Sequence, residues 1–219
     1  MKGREAYIVA RNSIRILLDS TRLDDILEVG ALTGQAAMER ATALVMESQE
    51  GRDLLAQRPE LNSEAIDFEW LRSLPVNTVG RLFVSHMDRY ELDINALNQP
   101  TPSTSDTDVV YILRRYRGNH DIWHTMLGLG TEGYEEVLVH SFTYGQLRFP
   151  LSSLIVFFGT LKHIVLEGRW EVLKRQLNAA YEIGRSASPL VGVYWERHWH
   201  RPVQEVREEL GLKSLTDVR

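Results

Sequence analysis

Residues 106–130 read DTDVVYILRRYRGNHDIWHTMLGLG. Val109, Ile112, Leu113, Tyr116, Trp123 and Leu127 recur at intervals of three and four, the period of a helix with one buried face, and the spacing predicts a helix over 107–127. His120 and His124 fall on the same inward stripe. Four residues apart, they stand one turn above the other, only ~40° apart around the axis. The three-and-four period continues along nearly the whole chain, and no clean alternation of period two interrupts it. The fold class expected is therefore all-α: a single compact domain over 1–219, of about eight or nine helices, with a metal site between two of them.

The metal reading rests on residue type and spacing. Asp121 stands three residues before His124 and flanks the same site. Twelve residues after His124, beyond the break Gly128-Leu129-Gly130, comes Glu136, which a helix turned back there can present from the facing side. His120, Asp121, His124 and Glu136 form a nitrogen and oxygen donor set of the kind that helix bundles build from facing helices. It suits zinc best among divalent ions, with magnesium, iron or manganese as alternatives. The plainer reading is a pair of core histidines, each hydrogen-bonded to a carbonyl or carboxylate. In the zinc-protease pattern His-Glu-x-x-His the second residue is a general base. Asp121 at that place has a shorter reach and makes a better ligand than base.

Working outward, the pattern predicts helices over 4–19, over 22–48 with a break near Gly30 and Gly34, through EGRDLL, and over IDFEWLRSL up to Pro75. Asn77 is the expected cap of TVGRLFVSHMDRY. After the Pro-, Ser- and Thr-rich loop at 98–107, further helices are expected at 132–147, 150–166, 169–184, 189–199 and 202–210. Pro150, Pro189 and Pro202 sit at first helical positions, and Gly168 and Gly211 at helix ends.

The chain has 219 residues and no cysteine, so neither a disulfide nor a thiolate metal site is available. Its net charge of -5 and pI near 5.8 argue against nucleic acid as a partner. No targeting sequence is visible and no stretch reaches the roughly 18 to 20 apolar residues of a membrane span. A cytoplasmic or peripheral membrane location is expected.

Arg114, Arg115 and Arg117 crowd the turns before the histidines. Arg114 and Arg117 are the candidates to grip an anionic head group, since guanidinium binds phosphate or carboxylate through two hydrogen bonds. A solvated face is the equal alternative. Residues 150–168, PLSSLIVFFGTLKHIVLEG, are apolar nearly all round. That reads as buried core, or else as the lining of an isoprenoid tunnel or a face for a membrane or a second copy. His198 and His200, two apart, lie on opposite sides of a helix and are poorly placed as ligands.

His-Asp-x-x-His, eleven residues, then Glu, standing here as His120, Asp121, His124 and Glu136, resembles the signature of the coenzyme Q biosynthesis protein 4 (ubiquinone biosynthesis) family. YILRRYRGNHD, EGRDLLAQRPELNSEAIDFEWLRSLPVNTVG, Gln146, Pro150 and SPLVGVYWERHWHRPVQEVREELGL extend the similarity over about 30–212. The chain departs from the family pattern at His140, where a lysine is expected, at Thr143, where glutamate is common, and in the more apolar run 151–166. The resemblance implies a helical, metal-binding protein that binds polyprenylated quinone precursors or prenyl phosphate lipids at a membrane surface, alongside other quinone-biosynthesis proteins and with a homodimer as one assembly. It further implies oxidative decarboxylation and hydroxylation of a prenylated hydroxybenzoate. The alternative is a non-catalytic lipid-binding scaffold that organises a biosynthetic complex around a structural metal.

Overall fold

The computed structural model describes residues 3–18, 22–97, 106–167 and 170–218. Among them the regular elements are all helical, apart from one isolated bridge between Thr78 and Pro202. Twelve α-helices occur, against an expected total of about eight or nine and eleven runs named individually: α1 (Gly3–Leu18), α2 (Leu23–Thr33), α3 (Gln35–Glu47), α4 (Gln49–Gln57), α5 (Phe68–Ser73), α6 (Val79–Tyr90), α7 (Thr107–Gly118), α8 (His120–Leu127), α9 (Gly133–Leu147), α10 (Pro150–Glu167), α11 (Trp170–Ser186) and α12 (Val203–Leu210). Part of the excess comes from breaks inside runs that the period alone reads as continuous. The chain bends at Gly34, between α2 and α3, where an added Cβ would lie 2.2 Å from the ring of Phe149. At Asn119 the break is slight, because its carbonyl still accepts from the Trp123 N–H.

Other boundaries move for chemical reasons. The cap of α6 is Thr78, whose hydroxyl accepts from the Arg81 N–H, and not Asn77, whose carbonyl accepts from the Val203 N–H instead. The expected helix at 189–199 is replaced by two 3-10 turns, Leu190–Gly192 and Trp195–Arg197. Val191, Gly192 and Val193 are poor helix formers, and Leu190, Val191, Val193 and Trp195 are all buried in the extended or 3-10 backbone they adopt. Pro150 does open α10, whereas Pro189 and Pro202 stand one residue before the first helical position. Gly168 and residues 98–105 lie outside the described residues.

The helices enclose one hydrophobic core in which Trp123, Trp195, Phe83, Phe142 and Phe149 are fully buried. Its tightest seam joins α9 to α11. An added Cβ on Gly145 would lie 2.4 Å from the Tyr181 carbonyl, and one on Gly184 would lie 2.3 Å from that of Phe142, so only glycine allows this approach of the two backbones. α9 also packs on α10, and α6 packs on α8. α10 is not buried all round as its composition suggests: Phe157 and Leu161 are 63% and 46% exposed.

Of the arginines before the histidines, Arg115 is structural. Its side chain is 1% exposed and forms a two-bond pair with Glu196, each at 2.7 Å, with the Val193 carbonyl at 3.3 Å. This ties α7 to the C-terminal segment. Removing the carboxylate leaves a buried guanidinium short of its counter-charge. Glu196→Gln is therefore expected to lower stability by about 2 kcal/mol, read from urea unfolding; an unchanged midpoint would show the pair to be dispensable.

A candidate metal centre on α8 and α9

Local sequence sets the first two donors. On α8, His120 and His124 project one turn apart, as the four-residue spacing requires. The helix ends at Gly128, whose φ of +72° is the left-handed cap that reverses the chain. After the reversal α9 starts at Gly133, held by a capping box between Glu132 and Glu135. Glu136 falls in the first turn of α9, where the positive end of the helix favours an anion.

Glu136 bridges the histidines. One carboxylate oxygen is 3.2 Å from His120 Nε2, the other 3.3 Å from His124 Nε2, and the two Nε2 atoms are 3.4 Å apart. Three donors around a tetrahedral zinc with bonds of about 2.0 to 2.1 Å stand about 3.3 Å from one another. The two imidazoles already stand at that spacing, each facing its own oxygen of the Glu136 carboxylate, and one donor atom from each of the three residues gathers within 4.8 Å. His124 is fully buried, and its Nδ1 donates to the Gly130 carbonyl at 2.7 Å. That bond turns the Nε2 lone pair toward Glu136 and His120, the orientation typical of a metal-ligating histidine. The hydrogen-bonded core histidine of the plainer reading is thus present, and it is compatible with ligation rather than opposed to it.

Asp121 does not join this triangle. The donor atoms that gather within 4.8 Å of one another, among the described residues, are those of His120, His124 and Glu136. One step along the helix turns a side chain by ~100°, which carries the short carboxylate of Asp121 off the shared face. It stays close enough to act through space: burial pushes its carboxyl up, and His120 and His124 pull it part of the way back. Burial also raises the Glu136 carboxyl, but the hydrogen bonds and charges of the two imidazoles outweigh it and hold the group far below the usual carboxylate range. His120 loses basicity to burial and regains more from Glu136, so its net shift is upward.

One group beside the triangle, His86, carries no clear signal in the sequence. His86 on α6 stacks on His124 with ring centroids 5.6 Å apart. Burial, then the neighbouring His124, push it down to about 4. Its Nε2 and both amide atoms of Asn119 are buried without a hydrogen-bond partner among the described residues. Buried orphan polar atoms concentrate at sites that bind a polar ligand or ion. A period of three and four places His86 on an inward face, but nothing local says which neighbour that face meets.

Next to the triangle lies a cavity of about 190 Å³. Ile26, Leu27, Gly30, Leu113, Phe149, Leu151 and Ile155 give it an apolar wall, and Arg117, His120, Glu136 and His140 supply polar groups. Of the two arginines expected to grip an anionic head group, Arg117 is among the lining residues. Arg114 does not line this cavity; it is exposed and pairs with Glu60 at 3.1 Å. His198 is held by Glu50 at 2.7 Å, and His200 is exposed.

Comparison with known proteins agrees with the fold and with the family resemblance. The sequence pattern of the family described as "Coenzyme Q (ubiquinone) biosynthesis protein Coq4" matches residues 2–216. A mitochondrial ubiquinone biosynthesis protein COQ4 homolog of Aedes aegypti is 32% identical over 212 residues, covering 97% of this chain and 77% of that protein. The Bos taurus homolog is 29% identical, covering 95% and 78%. A crystal structure from Nostoc punctiforme, of a protein assigned to ubiquinone biosynthesis, superposes with a TM-score of 0.72 at 21% identity, over 94% of this chain and 97% of that one, and so shares the fold. With the pattern matched over nearly its whole length, the chain belongs to the Coq4 family of coenzyme Q (ubiquinone) biosynthesis proteins.

Proposed function

We propose that the protein binds a divalent ion, zinc best fitting the donors, through His120, His124 and Glu136, and seats a polyprenylated hydroxybenzoate with its ring at the ion and its tail in the adjoining cavity. The observation that carries the reading is the continuity of an apolar cavity with the donor triangle: His120 and Glu136 belong to both. Three protein donors leave a tetrahedral ion one open position. The ion, when bound, would supply a Lewis acid there for a phenolate or carboxylate oxygen.

The chain's own residues do the rest. Leu27, Leu113, Leu151 and Ile155 exclude water from the tail, each buried methylene contributing about 0.8 kcal/mol. Arg117 offers positive charge to the acidic head group. Replacement of the ring carboxylate by hydroxyl releases carbon dioxide and is a two-electron oxidation, with water as oxygen source and an external acceptor such as dioxygen taking the electrons. Exposed Phe157 and Leu161 on α10 offer apolar contact to the membrane surface from which such a lipid is drawn.

A second reading follows from Asp121, whose charge is felt by its neighbours in the triangle. If it turns inward as a fourth ligand, the site is closed and structural, and the protein is a lipid-presenting scaffold within a biosynthetic complex. Absorption spectroscopy of the zinc-loaded protein distinguishes three protein ligands plus solvent from four.

Titration with prenylated hydroxybenzoates of one to four isoprene units tests the first reading. Affinity is expected to rise at least about tenfold with the first added unit, and Ile155→Trp, which narrows the cavity, should flatten the rise. A response independent of length in the unaltered protein removes the tail site.

A further inference from the structure

His140 lines the same cavity one turn after Glu136, with its ring centroid 5.7 Å from that of His120. Its Nδ1 lies 3.2 Å from the hydroxyl of Ser152, a fully buried residue in the first turn of α10. α9 and α10 thus hold an imidazole and a buried hydroxyl together at the wall of the cavity.

The pair has a direction. The hydrogen-bond partner of the Ser152 hydroxyl, among the described residues, is His140 Nδ1. Ser152 must place its own proton, and His140 Nδ1 is the acceptor within reach. An uncharged imidazole whose Nδ1 accepts carries its hydrogen on Nε2. His140 Nε2 makes no hydrogen bond among the described residues, and the cavity is the space its ring borders. A donor left unpaired beside an apolar cavity discriminates strongly, because a ligand that cannot accept from it leaves it desolvated.

We propose that His140 is a specificity-determining residue, its Nε2–H held as a donor by Ser152 so that it hydrogen-bonds an acceptor oxygen, carboxylate or phenolate, on the ring of the bound prenylated aromatic. This rests on the reading that the cavity takes such a ligand. Ser152 is the positioning residue that fixes the tautomer.

The test is isothermal titration of the zinc-loaded full chain with four diprenylated probes: hydroxybenzoate, phenol without the carboxylate, methoxybenzoate without the free phenolic group, and benzene bearing neither. His140→Phe is expected to weaken hydroxybenzoate about tenfold, leave the benzene probe unchanged and keep the zinc content of the unaltered protein. His140→Gln, whose amide N–H stands near the place of Nε2–H, should restore most of the loss. Ser152→Ala should reproduce part of it. Loss of the His140→Phe effect with the phenol assigns the contact to the carboxylate, and loss with the methoxybenzoate assigns it to the phenolic oxygen. Equal weakening of all four probes, or none, overturns the inference while leaving the cavity reading intact. If the unaltered protein binds neither hydroxybenzoate nor the benzene probe, the cavity reading fails and the inference with it.

Discussion

His124→Ala is expected to weaken zinc binding by more than about 100-fold, since loss even of an outer hydrogen-bond partner commonly costs 10- to 100-fold. His124 is fully buried, and its Nε2 completes the triangle while its Nδ1 is anchored on Gly130. The substitution also leaves a cavity and strips the Gly130 carbonyl of its donor, so the metal-free fold should lose about 2 kcal/mol. Circular dichroism shows whether the helices persist. Should the variant unfold, His120→Ala gives the same reading at lower structural cost, because the His120 side chain is 17% exposed. Exposed His200, replaced by alanine, is the control that should bind as before. Zinc competition against a chromophoric chelator measures all three. Equal affinity in His120→Ala and in the control would sink the assignment of the site.

Glu136→Gln separates chemistry from folding. The amide keeps the shape and can still hydrogen-bond, but it removes the charge that holds both imidazoles and would face the ion. Product formation from a soluble short-chain prenylated hydroxybenzoate is expected to fall at least about 100-fold. The side chain is 36% exposed, and its replacement should change stability by only about 1 kcal/mol. The metal-free protein carries a pH signature of the same residue. Because the folded carboxyl sits below its ordinary range, its contribution is fully present above the unfolded value of about 4.3 and is lost as pH falls toward the folded value. Acid unfolding of Glu136→Gln should therefore be less steep. A variant that unfolds at neutral pH would mark the ion as structural and favour the scaffold reading. Undiminished product formation would remove Glu136 from the chemistry.

Local geometry made the all-helical class and the heart of the site legible in the sequence. A four-residue spacing fixes His120 and His124 on one face of any α-helix, whatever surrounds it, and Gly128-Leu129-Gly130 announces the reversal that brings Glu136 back. The apolar period likewise placed most helices to within a few residues. Three things resisted. Asp121 looked like a ligand because it is adjacent in sequence, but adjacency on a helix is a turn of ~100°. Arg114, Arg115 and Arg117 read alike, yet one is exposed with Glu60, one is buried with Glu196 and one lines the cavity. Residues 189–199 had an apolar richness that suits a helix but settled into 3-10 turns, because burial on several sides outweighed the period. By itself, then, the sequence determined what neighbours along one helix can do: the class of fold, the histidine pair and the turn that returns a carboxylate. Only the tertiary structure decided which faces meet. It set His86 on His124 across 38 residues of chain, joined Ser152 of α10 to His140 of α9, and placed an apolar cavity against His120 and Glu136. Those contacts depend on how side chains of distant segments interlock in a dense core, which no local period encodes.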